Sequence, residues 1–93
     1  MLVRFQSLEA GAWVDRHEAR TSTSGRAHGF STGALVAGDY RFIFDTAAWF
    51  AQHGVECFFP EVTIVFRVDG MPRHHHVPLL LSPFGYTTYR GSA

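Results

Sequence analysis

The sequence predicts an all-β fold, a two-sheet antiparallel sandwich carrying one short helix. Three observations lead there. Apolar residues recur at every second position in several segments, turn residues separate those segments at short intervals, and the two-residue period breaks once, across residues 45–54. A period of two puts alternate side chains on opposite faces of a strand. Short strands at this spacing, with turns between them, are the signature of a sandwich.

The first segment, LVRFQSLEAGAWVDRHEAR, reads as a hairpin. Val3 and Phe5 alternate with Leu2, Arg4 and Gln6, the turn falls at Glu9-Ala10-Gly11, and Trp13 to Arg20 resumes a half-polar extended pattern. TSTSGRAHGFSTG follows as a Ser-, Thr- and Gly-rich loop, able to hold Arg26 at a sheet end. GDYRFIFDT is a strand with Tyr40, Phe42 and Phe44 on one face. DTAAWFAQHG reads as a helix of about two turns, with Asp45 and Thr46 as N-cap candidates and Gly54 as its stop.

VTIVFRVDG returns to strand, with Val62, Ile64, Phe66 and Val68 inward, Thr63 and Arg67 outward, and a turn at Asp69-Gly70. RHHHVPLLLS and YTTYRGS are the last two strands, joined at Pro83-Phe84-Gly85. Pro78 lacks a backbone donor, which predicts an edge or bulged strand there. The tally is about six or seven strands and one helix, with neither internal repeat nor low-complexity tract.

At 93 residues the chain suits one domain, residues 1–93, whose modest buried fraction would gain from association with further copies. Eight basic residues balance eight acidic ones, which argues against nucleic acid as a partner. All eight are Arg, so anion recognition would use the planar guanidinium fork. The lone Cys57 excludes an intrachain disulfide framework and reads as a small buried hydrophobe; a reduced cytosol is the default compartment. No apolar run approaches the roughly 18–20 residues that span a bilayer, so no membrane partner is expected.

The chemistry concentrates in the C-terminal quarter. On a strand His74 and His76 share one face and His75 the other. Imidazole titrates near neutrality and so suits proton transfer, although a solvated polar strand face would also carry such residues. A His-x-His pair could begin a zinc site, but no motif supplies a third ligand. Arg26 can donate paired hydrogen bonds to adjacent oxygens or simply be a solvated loop arginine. His17, His28 and His53 lack motif support and read as surface or helix-end residues.

TSTSGR, GDYRFIFDTAAWFAQHGVECFFPEVTIVF, HHHVPLLLSPFGYTTY and the YRGS ending together resemble the 5-hydroxyisourate hydrolases, the transthyretin-related enzymes of purine breakdown. The resemblance runs from about Leu2 onward, and its specific parts are the His-Val-Pro-Leu-Leu-Leu-Ser run and the YRGS ending, which transthyretin carriers lack. It implies a Greek-key sandwich assembled as a homotetramer, with active sites in the channel between dimers. It further implies His76, Arg26 and Ser92 as catalytic residues, and Arg26, His74, Tyr89, Arg90, Gly91 and Ser92 as binding a small ureide, without metal or cofactor. Family members carry an additional first strand with a His-Val-Leu-Asp type of motif. This chain begins at what resembles the second strand, so the expected domain is N-terminally shortened, with Val3 and Phe5 less covered.

Overall fold

The computed structural model describes residues 1–21 and 27–91. Strands β1 (Leu2–Glu9) and β2 (Ala12–Arg20) form the expected hairpin. Ala10 and Gly11 both have positive φ, 50° and 80°, the left-handed pair that lets a two-residue turn follow the twist of its strands. The register shifts once, between Phe5 and Gln6. Arg16 is left without an opposite residue there and reaches across to Ser7 Oγ at 2.8 Å and to the Glu9 carboxylate.

Strand β3 (Ala27–Thr32) is followed by β4 (Gly38–Phe44), helix α1 (Thr46–Gln52) and β5 (Val62–Val68), then by β6 (His75–Ser82) and β7 (Gly85–Thr88). Two sheets result, one in the order β2-β1-β4-β5 and the other β3-β6-β7, with every pairing antiparallel. The chain crosses between them after β2, β3 and β5.

The alternation read in β4 and β5 is the alternation found. Tyr40, Phe42 and Phe44 are buried beside Val62, Ile64 and Val68, while Thr63 and Arg67 face out. Phe5, Tyr40, Phe42 and Phe66 form one aromatic cluster, with neighbouring ring centroids 5.0–6.4 Å apart. Val77, Leu79 and Leu81 of the second sheet complete the same cluster. Each fully buried Phe contributes about 1.5–3 kcal/mol relative to exposure. Cys57 packs against this core as a partly buried hydrophobe.

Helix α1 starts and stops where its sequence signals lie. The Asp45 carboxylate accepts from Ala48 N at 3.3 Å, and Gly54, at φ 65°, ends it beyond His53. Thr46 is fully buried and donates to the Phe59 carbonyl at 2.5 Å. No helix among the described residues is long and apolar enough to cross a membrane.

Three expectations are corrected. The second half of the anticipated loop is β3, because a segment weak in strand propensity gains backbone partners along β6 from Ala27↔Leu80 to Thr32↔His75. Strand β6 is central, not an edge, and keeps an unbroken register through Pro78. The missing proline donor costs no ladder bond: the backbone polar side of Pro78 faces the β7 side, where Thr88 Oγ1 donates to its carbonyl at 2.8 Å, and the β7 pairing begins only at Leu79. Finally, Val3 and Phe5 are covered, at 1% and 9% exposure, because β1 lies between β2 and β4 and faces the second sheet.

Candidate active site

Strand β6 divides its side chains between two environments. Val77, Leu79 and Leu81 point into the core, which assigns His75 to the core-facing side and His76 to the outer side with the exposed Leu80. The predicted separation of His75 from His76 is present, but His75 does not look into solvent. It is half-buried, and its Nε2 is buried without a hydrogen-bond partner among the described residues.

The β6–β7 hairpin brings the C-terminal tail back along the histidines. Its register, Leu79↔Thr88 and Leu80↔Thr87, would place residue 91 opposite residue 76, and the backbone does continue so: Gly91 N–H donates to the His76 carbonyl at 2.9 Å. Thus the tail from Tyr89 to Gly91 lies against β6.

His74 precedes β6 and is exposed, with Nδ1 3.1 Å from the Thr32 carbonyl oxygen. That oxygen can only accept, so Nδ1 carries the proton and a neutral ring leaves Nε2 as an acceptor.

A cleft of about 630 Å³ lies between β5 and this tail, lined by Ile64 and Phe66, by all three histidines His74, His75 and His76, and by Tyr89 and Arg90. Two arginines on its rim are neutralised. Arg67 donates to both Asp39 oxygens, at 2.8 and 3.2 Å, and this hydrogen bonding holds the Asp39 carboxyl below its ordinary pKa. Arg73 pairs with Asp69, whose carboxyl is held low first by the Met71 backbone N–H at 3.0 Å and then by Arg73.

Arg90 is exposed and has no carboxylate partner among the described residues. Its positive charge makes the cleft receptive to an anion. Among the described residues no group of three or more His, Cys, Asp or Glu stands together as a metal cage.

The structure therefore brings together His74, His76, Tyr89, Arg90 and Gly91 of the predicted set. Arg26 and Ser92 lie outside the described residues. Sequence reasoning missed Arg67 and Arg73 on the rim, and it placed His75 away from the site although His75 also lines the cleft. The available signal for Arg73 was Asp69 four residues before it, beside a turn, since a short carboxylate there can hold both a backbone N–H and a nearby guanidinium.

This combination of sandwich, histidine strand and returning tail coincides with what comparison finds: a family model described as "HIUase/Transthyretin family" matches residues 1–91. The chain belongs to the HIUase/Transthyretin family. Within the family it is 39% identical to the 5-hydroxyisourate hydrolase of Mus musculus over 95 aligned positions, which cover 99% of this chain and 80% of the mouse protein. It is 41% identical to the 5-hydroxyisourate hydrolase of Salmonella typhimurium, covering 97% of this chain and 67% of that protein. The crystal structure of sea bream transthyretin in complex with thyroxine superposes with a TM-score of 0.81 at 26% identity, covering 99% of this chain and 80% of that one.

Proposed function

We propose that this chain, acting as one domain over residues 1–93, hydrolyses 5-hydroxyisourate in urate breakdown. The observation that carries the reading is the junction of His76 with the Tyr89–Gly91 tail at a cleft whose Arg90 has no carboxylate partner among the described residues. The kinship with proteins named 5-hydroxyisourate hydrolase supports it.

The reaction is acyl transfer to water. His76 takes a proton as the water oxygen bonds to the ring amide carbonyl carbon; the carbon–nitrogen bond then breaks, and the proton passes to the departing nitrogen. Arg90 and Arg26 bind the anionic ureide, and Arg26 stabilises the oxyanion as it forms. His74 and Tyr89 wall the pocket, Ser92 places a hydroxyl there, and neither metal nor cofactor takes part.

The assembly is a homotetramer in the cytoplasm, with the outer face of the β3-β6-β7 sheet turned toward a neighbouring copy. Leu80 and Tyr89 are 43% and 55% exposed in the single chain, apolar surface that such packing would cover.

The test is turnover of freshly generated 5-hydroxyisourate by the wild-type chain and by His76→Ala. The expected loss in the variant is about 10²–10⁴-fold, the usual worth of general acid–base catalysis. A wild-type rate equal to that of buffer overturns the enzymatic reading. Binding of hydrophobic aromatics in preference to ureides would instead favour a carrier of small ligands.

A further inference from the structure

Most turn glycines of this chain serve backbone conformation: Gly11, Gly54 and Gly70 all have φ between 65° and 82°. Gly91 differs. Its φ lies outside the left-handed region, so its backbone does not demand glycine.

Space demands it instead. A Cβ built on Gly91 would lie 2.5 Å from His76 Cδ2 and 3.1 Å from both Cβ and Cγ of the same residue. Carbon atoms in favourable contact stand about 3.5–4.0 Å apart, so any side chain at position 91 must drive the imidazole or the tail away by about 1 Å. The backbone bond from Gly91 N to the His76 carbonyl, 2.9 Å, holds the tail at this close approach.

We propose that Gly91 is a positioning residue for His76, and not a substrate-binding one. Its bare Cα abuts the Cδ2 edge of the ring, which limits rotation about χ2 and keeps Nδ1 on the edge away from the tail. The C-terminal segment thus acts on the reaction through the orientation of the histidine. The inference rests on the proposed role of His76 and adds a reason for glycine at this place in the chain.

The experiment compares Gly91→Ala with Gly85→Ala in the same hairpin, where an added Cβ would meet Ser82 Oγ at an ordinary 3.7 Å. Turnover is measured together with the ring carbon–proton NMR signals of His76 across pH, at matched melting temperature. In Gly91→Ala the His76 signals and their titration midpoint shift. At the same time kcat falls by roughly 10²-fold with KM little changed, the scale of loss expected for about 1 Å of misplacement. Gly85→Ala leaves both unchanged.

Unchanged His76 signals in Gly91→Ala overturn the contact, and shifted signals with wild-type kcat overturn the positioning role. If the wild-type chain turns over no 5-hydroxyisourate, the proposed function falls. The NMR comparison then still decides whether Gly91 orients the ring.

Discussion

Replacing His75 with Phe should stabilise the protein, even though the residue stands beside the proposed catalytic histidine. The imidazole sits on the core-facing side of β6 next to Val77, with Nε2 buried and without a partner among the described residues. A buried polar group without a partner costs about 1–3 kcal/mol, and replacing it by an apolar group of similar shape removes that cost. Because the residue is only half-buried, the lower part of the range applies, about 1–2 kcal/mol. In a domain of 93 residues this raises the melting temperature by roughly 5–10 °C. The assay is thermal unfolding at fixed protein concentration, since assembly makes the midpoint concentration-dependent. Turnover is measured in parallel and should stay within about threefold, against the 10²–10⁴-fold loss expected at His76. A lowered midpoint, or a rate loss matching that of His76→Ala, would refute the assignment of the two histidines to opposite faces.

Other expectations follow from the same geometry. Arg90→Ala should raise KM by roughly 10–10²-fold with a smaller effect on kcat, as charge-assisted hydrogen bonds worth about 1.5–3 kcal/mol are lost from bound substrate; an unchanged KM would remove Arg90 from the binding site. Asp39 has a lowered folded-state pKa, so its stabilisation is present above the ordinary carboxylate value and is lost as pH falls through the folded one. Asp39→Asn should therefore flatten the decline of melting temperature as pH falls below the ordinary carboxylate value, checked by unfolding scans on the acid side of that value. Leu80→Asp should shift sedimentation from a tetramer to smaller species at micromolar concentration, because a charge would be buried at the packed outer face of β6; a wild-type profile would show that this face is free.

Sequence reading reached furthest where local signals agreed with the final environment. Tyr40, Phe42 and Phe44 alternate because one face of β4 is core, and the Asp45 cap and Gly54 stop act within a single turn of their helix. Strand β3 was hidden because Gly29, Ser31 and Thr32 have the composition of a loop, and only the backbone of β6 makes them a strand. Pro78 was misleading for a related reason: the rule against proline in a central strand concerns one missing donor, and here that donor would face a side where the β7 ladder has already ended at Leu79.

In the candidate site, the approach of His76 to the tail was legible as a hairpin with a short turn, since pairing back from Gly85 carries Gly91 to His76. The rim was not legible. Where Arg67 and Arg73 end up depends on Asp39 and Asp69, and the first of those lies on another strand.

The run of three histidines at the start of β6 has a consequence for how this chain tolerates change. In a strand, removing one residue exchanges the two faces for everything on the far side of the deletion. Loss of any one histidine from the run still leaves His immediately before Val77 and another before that, so both faces retain an imidazole while the shortening is passed back to Arg73 and the Asp69 turn. The repeat thus decouples the length of the preceding loop from the identity of the residue opposite Gly91. A chain built this way can drift in loop length without losing the histidine that its tail embraces.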